Sequence, residues 1–223
     1  MQWQRMSNKL IYINNNIGIT MSIITQYNQQ NLFNLHNRID CLVNDYSKLL
    51  VIRIDFGIQK YMGMEVHSSF MKEAFTRLRN NMRNQKLFNH LVSYVAKLEY
   101  TPDKSWHYHV IFFFNGQYVQ YDEKLSKQIG NYWNTVITRG IGVYYSANLH
   151  HEDYRFNGIG KIEHQDVQKI AYLKLTAQYL TKIDDNIQGI HLTHDGSRTI
   201  RTFFMSEYTP RMYKRGRPRS NDL

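Results

Sequence analysis

Trp106-His107-Tyr108-His109-Val110 carries two imidazoles two residues apart. In an extended strand, residues i and i+2 project from the same face. His107 and His109 then stand side by side as two ready ligands for a divalent cation. Glu99 offers a third. Leu91 to Thr101 and Trp106 to Phe114 read as strands joined through the turn sequence Pro102-Asp103-Lys104-Ser105. An odd number of loop residues keeps Glu99 on the histidine face, and an even number turns it away. The register expected here sets Glu99 opposite His109 and Thr101 opposite His107. His150-His151-Glu152 and His191 with His194-Asp195 lie in polar, loop-like sequence and read as surface features.

A second reactive pair lies downstream. Tyr179 and Lys182 are three apart on an expected helix spanning Gln165 to Lys182, hence neighbours on one face. An ammonium there stabilises a phenolate, which favours nucleophilic attack, or holds a phosphate oxygen. Tyr172, seven residues before Tyr179, has the spacing of a core aromatic.

Several elements must position these groups. Leu49 to Phe56 is a β-branched apolar run closed by Gly57, the pattern of a buried strand. Ser69 to Asn84 spaces Phe70, Ala74, Phe75, Leu78 and Met82 at helical intervals. Asp122 to Thr138 is a further helix, expected to end near Gly140. Gly142 to Asn148 and Arg198 to Met205 read as strands. The pattern is α+β: an antiparallel sheet carrying the His-x-His strand, with helices packed mainly on one side. Residues 1–45 contain nine Asn from Asn8 to Asn44 and read as an Asn/Gln-rich extension with short pieces of structure at most. Residues 46–208 form the expected folded domain, and 209–223 a basic tail.

Composition narrows the class. The chain has 223 residues, with 28 Lys+Arg against 18 Asp+Glu, a formal net charge of +10. A single cysteine, Cys41, excludes an intrachain disulfide. The longest strictly apolar run, Val110 to Phe114, is far short of a membrane span. No signal peptide is apparent, because Asn14-Asn15-Asn16 follows Arg5 and Lys9, so a cytoplasmic location is expected. The basic excess points to a polyanion, nucleic acid first. It concentrates on Arg77, Arg79, Arg83 and Lys86 and on the tail residues Lys214, Arg215, Arg217 and Arg219. The tail also resembles an AT-hook core, Gly-Arg-Pro flanked by basic residues, and otherwise serves as a nonspecific grip on DNA.

A strand like Leu49 to Phe56, then His107-Tyr108-His109 before an apolar strand, then Tyr179-x-x-Lys182 on a helix, resembles the ordered motifs of HUH endonucleases that start rolling-circle replication. Lys97-Leu98-Glu99-Tyr100 through Val110 is most similar to filamentous-phage gene-two-type replication proteins and the YagK/YfjJ C-terminal domain. The resemblance covers roughly residues 46 to 210. Arg198 to Ser206 matches the family's late Arg/Phe-rich strand only loosely. The resemblance implies a nickase and ligase of single-stranded or hairpin origin DNA, working with host replication machinery. His107, His109 and Glu99 would hold Mg²⁺ or Mn²⁺, and Tyr179, helped by Lys182, would form a 5′-phosphotyrosine. Two alternatives remain open: a transposase or relaxase of the same fold, and a DNA-binding regulator that does not cut.

Overall fold

The computed structural model describes residues 26–60, 67–183 and 201–211. Within them, apolar runs become strands and runs with helical spacing become helices. β1 (Lys48–Ile58), β2 (Leu91–Thr101) and β3 (Ser105–Asn115) are long central strands, and β4 (Gly142–Ser146), β5 (Gly160–Glu163) and β6 (Phe203–Met205) are short. The six form one antiparallel sheet in the order β4-β1-β3-β2-β6. β5 shares the outer edge of β1 with β4, pairing residues 48–51 while β4 pairs 54–58. Asn148 fills the gap between them. Its side chain accepts from Arg53 N (2.9 Å) and donates to Val51 O (3.0 Å), standing in for a missing strand.

β1 and β3 are apolar on both faces, so both faces must be covered. On one, Leu50, Ile52, Ile54 and Phe56 meet α2 (Ser68–Asn81) and α3 (Asp122–Tyr132) through Phe75, Leu78 and Ile129. On the other, Leu49, Val51, Ile111 and Phe113 meet α1 (Gln29–Asp45) and α4 (Val167–Gln178) through Leu35, Ile39, Leu42, Leu173 and Ala177. The α+β class holds, with helices on both sides of the sheet rather than mainly on one.

α1 also corrects the expectation for the described part of the segment 1–45, whose residues 1–25 lie outside the described residues. Leu35, Ile39 and Leu42, spaced i, i+4, i+7, are fully buried, and Asn28 caps the helix by accepting from Asn31 N at 2.9 Å. The many Asn and Gln residues mask this stripe. Two further differences are local. The expected Asp122 helix passes at Trp133 into a π-helical turn through Ile137, with Trp133 stacked on Phe56 and donating to Gly57 O at 3.0 Å. It is followed by Gly140 at φ 95°, a left-handed conformation natural to glycine. The late strand covers only Phe203–Met205, and residues 184–200 lie outside the described residues. No helix among the described residues is long and apolar enough to cross a membrane.

Candidate functional site

On the face covered by α1 and α4, the three central strands change from apolar to ionisable at one level. β1 runs Leu49, Val51, Arg53, Asp55; β2 runs Val95, Lys97, Glu99; β3 runs Phe113, Ile111, His109, His107. Asp55, His109, Lys97 and Phe203 form one in-register row across β1, β3, β2 and β6. Glu99 pairs with His107 in the next row. The expected register of Glu99 against His109 is therefore corrected by one step of two residues. It required five loop residues, 102–106, whereas Thr101 pairs Ser105 across only three, 102–104. The count stays odd, so Glu99 keeps the histidine face. Ser105 closes the tight loop at φ 58°.

This geometry gathers Glu99, His107 and His109, which are only 5, 4 and 4 % exposed. One ligand atom from each lies within 4.8 Å of the others. His107 Nδ1 is 2.8 Å from Ser105 O. A carbonyl only accepts, so Nδ1 carries a hydrogen, and Nε2 faces Glu99 Oε2 at 3.6 Å. His109 sits between two carboxylates. Its Nε2 is hydrogen-bonded to Glu99 Oε2 at 2.7 Å, and its Nδ1 makes an ion-pair contact of 2.7 Å with Asp55 Oδ1, angled away from hydrogen-bond geometry. Burial alone would lower the His109 pKa; the two carboxylates outweigh it and raise it. Burial would raise Glu99, but the histidine contacts hold it well below the carboxylate range. Asp55 is likewise brought down against burial to about 2 by His109 and Arg53.

These residues suit a divalent cation. Two imidazole nitrogens and a carboxylate are a mixed N/O donor set. Asp55, in contact with His109 on the side away from Glu99, stands where an outer-shell carboxylate would stand behind a ligating imidazole.

Tyr179 completes the cluster. It follows α4 as the first residue of a 3₁₀ turn, Tyr179–Thr181. Its hydroxyl donates to Glu99 Oε1 and Oε2 at 3.1 and 3.0 Å, and its ring meets His109 edge to face, centroids 5.5 Å apart. Burial, then the Glu99 charge, push the phenol pKa above its ordinary value. Lys182 is placed differently from a helical neighbour. It leaves the turn with ψ 136° and bridges Tyr27. Its carbonyl, not its ammonium, is tied to the site, accepting from Lys97 Nζ at 2.6 Å. Lys97, 1 % exposed, sets its ammonium 6.0 Å from the Tyr179 ring centre.

Asp55 and Lys97 were not singled out in the sequence. The signal available was their charge at alternate positions of otherwise apolar strands. Tyr172 lies apart from the site and outside both core clusters, half-buried, accepting from Gln168 Nε2 and packing on the exposed Phe156, which corrects its reading as a core aromatic. His151 is more than a surface feature: it bonds Asp122 (2.8 Å), which also accepts from Asn148. Arg77, Arg79, Arg83 and Lys86 are exposed on and just after α2, which covers the opposite face of the sheet from the histidines. Arg77 also donates to Ile137 O at 2.6 Å. Lys214, Arg215, Arg217, Arg219 and the His191–Asp195 cluster lie outside the described residues.

The family model described as the YagK/YfjJ C-terminal domain matches residues 11–198. No curated protein and no solved structure matches the chain.

Proposed function

The chain belongs to the YagK/YfjJ C-terminal domain family, and we propose that it is a metal-dependent endonuclease that nicks and rejoins single-stranded DNA through a 5′-phosphotyrosine. In this reading it is an HUH-type replication initiator of a phage, prophage or plasmid-like element, acting on single-stranded or hairpin origin DNA. One observation carries the reading: the Tyr179 hydroxyl lies 3.0 Å from the carboxylate that faces both imidazoles. A hydroxyl that could serve as nucleophile thus touches the residues that could hold the ion.

A Mg²⁺ or Mn²⁺ ion held by Glu99, His107 and His109 would supply Lewis-acid polarisation of the scissile phosphate. The chain's own residues do the rest. Ser105 O fixes the His107 tautomer, and Asp55 orients His109. The Lys97 ammonium anchors the end of the 3₁₀ turn through Lys182 O and places positive charge beside the phenol ring. The Glu99 carboxylate orients the Tyr179 hydroxyl, whose oxygen attacks phosphorus as its proton passes to water. The P–O3′ bond breaks, and the departing 3′ oxygen takes up a proton. The phosphotyrosine keeps the energy of the broken ester, so reversal rejoins the strand without a nucleotide cofactor.

The test is incubation of the full chain with end-labelled single-stranded DNA of its replicon and Mn²⁺, followed by denaturing electrophoresis. A covalent adduct is expected with the parent and none with Tyr179→Phe, which should still bind DNA. Binding without any adduct from the parent would establish the non-cutting regulator instead. Adduct formation by Tyr179→Phe would move the nucleophile elsewhere.

A further inference from the structure

A cleft of about 470 Å³ opens between α1 and β6 on the same face as the histidines. Its volume is that of a small-molecule site. One wall is a stripe of α1, Asn31, Asn34 and Arg38, spaced i, i+3, i+7; the other is the chain from Arg201 to Glu207. Two backbone links tie the walls of the cleft to the elements of the reactive cluster. Phe203 pairs with Lys97, in the row that holds His109. Thr181, at the end of the Tyr179 turn, accepts from Asn28 N at 2.8 Å, one helical turn before Asn31.

The lining has the chemistry of base recognition rather than of phosphate alone. Phe203 is half-buried, an aromatic face for stacking. Asn31 and Asn34 present amides that both donate and accept, and the Glu207 carboxylate accepts from exocyclic amines. Arg38 is held rigid, donating to Ser93 Oγ at 3.0 Å and Ser206 O at 2.7 Å. Arg201 is exposed beside Phe204, its guanidinium carbon 5.4 Å from the ring centre, where a backbone phosphate can reach it.

We propose that this cleft seats one unpaired nucleotide of the strand that crosses the Tyr179 site, its base between α1 and β6 and its phosphate on Arg201. The assignment rests on the single-strand reading above and adds where that strand is read. It makes the cleft a source of sequence preference.

The experiment uses the full chain carrying Tyr179→Phe, so that binding is measured without reaction. Fluorescence anisotropy with four labelled 12-mer homopolymers and Mn²⁺ gives four affinities. Adding Asn34→Ala or Arg201→Ala, both at solvent-reachable positions, should weaken single-strand binding about tenfold. Asn34→Ala should compress the differences among the four bases. Arg201→Ala should lower the salt slope by about one. Affinities within twofold of the background for all four oligonucleotides overturn the proposal. Cross-linking a 5-iododeoxyuridine 12-mer gives a second measure: adducts should map to peptides holding Phe203 or Asn31–Arg38, and adducts confined elsewhere also overturn it. A deoxynucleoside monophosphate binding as tightly as the 12-mer would make the cleft a free-nucleotide site and overturn the strand assignment. Covalent adduct formation by the chain with Tyr179 intact is scored separately. Its absence, with cleft-dependent binding intact, sinks nicking alone; unchanged binding in the cleft variants, with adducts formed, sinks the cleft alone.

Discussion

Replacing Asp55 by Asn tests whether the carboxylate behind His109 tunes the metal ligands or merely fills space. Asparagine keeps the size of the side chain and an oxygen that can accept from His109 Nδ1, so it removes the charge and little else. The structure sets the scale of that charge. Contact with His109 at 2.7 Å, with help from Arg53, holds the Asp55 carboxyl near 2 against its ordinary 3.8. That difference is what remains of the attraction to its cationic neighbours after burial has opposed it, so the attraction is on the order of 2 kcal/mol or more. A divalent ion on Nε2 draws on the same attraction through the ring. Outer-shell carboxylates of this kind contribute about 10- to 100-fold in metal affinity, or roughly 1.4–2.7 kcal/mol, the same range. Titration calorimetry of Mn²⁺ into the full chain should therefore show Asp55→Asn binding at least tenfold more weakly, with an unchanged far-UV circular dichroism spectrum. An affinity within twofold of the parent would refute the reasoning, because the charge would then be shown to act on nothing beyond its own burial.

Changing His107 and His109 together to Ala should abolish the rise in melting temperature that Mn²⁺ gives the parent; a rise that survives would place the ion elsewhere. Ile39→Ala, at a fully buried position of α1, should cost about 2–5 kcal/mol in urea denaturation. A loss under 0.5 kcal/mol would return α1 to the status of an appendage. The pH dependence follows from His36, whose Nε2 is buried without a partner. Burial, then the Lys174 ammonium, lowers its pKa below 6.5. The unfolded chain takes up that proton more readily, so the stability present above pH 6.5 declines as pH falls below it. His36→Gln should flatten the fall in unfolding free energy between pH 7.5 and 5, and equal slopes would count against it.

The elements that hold the ligands were legible because their signals are local. β2 has the expected ends, Leu91 and Thr101, since a largely apolar stretch stops at the turn sequence Pro102-Asp103-Lys104. His-x-His needs only the two-residue period of a strand to face one way. What depended on pairing was harder to read. Glu99 against His107 rather than His109 was decided by two loop residues. Asp55 enters the site only because β1 lies next to β3 with Asp55 opposite His109. β5 is four residues long and buries one large side chain, Ile162, leaving little periodicity to find. α1 was hidden by averaging: its three buried residues carry the packing, while the Asn and Gln around them dominate the composition.

The charges of the site limit what it can bind. Arg53, Asp55, Lys97 and Glu99 face the same side of the sheet as the two histidines, all of them wholly or largely buried. Two carboxylates and two cations cancel, so the cluster is neutral when both imidazoles are. A divalent cation on that set leaves two positive charges in a low-dielectric pocket, where unbalanced charge is costly. A neutral ligand would leave the surplus in place, and a carboxylate substrate would lack the in-line leaving group that attack by Tyr179 needs. A phosphodiester brings one negative charge to the surplus and an electrophile to the hydroxyl. On the proposed function each ligand would make the cluster more favourable for the other, and by linkage the metal would tighten single-strand binding by the same factor by which the strand tightens metal binding. Equality of those two factors follows from thermodynamics alone; a factor above one is what an ion and a phosphate meeting at this cluster would give, and a factor of one would count against it.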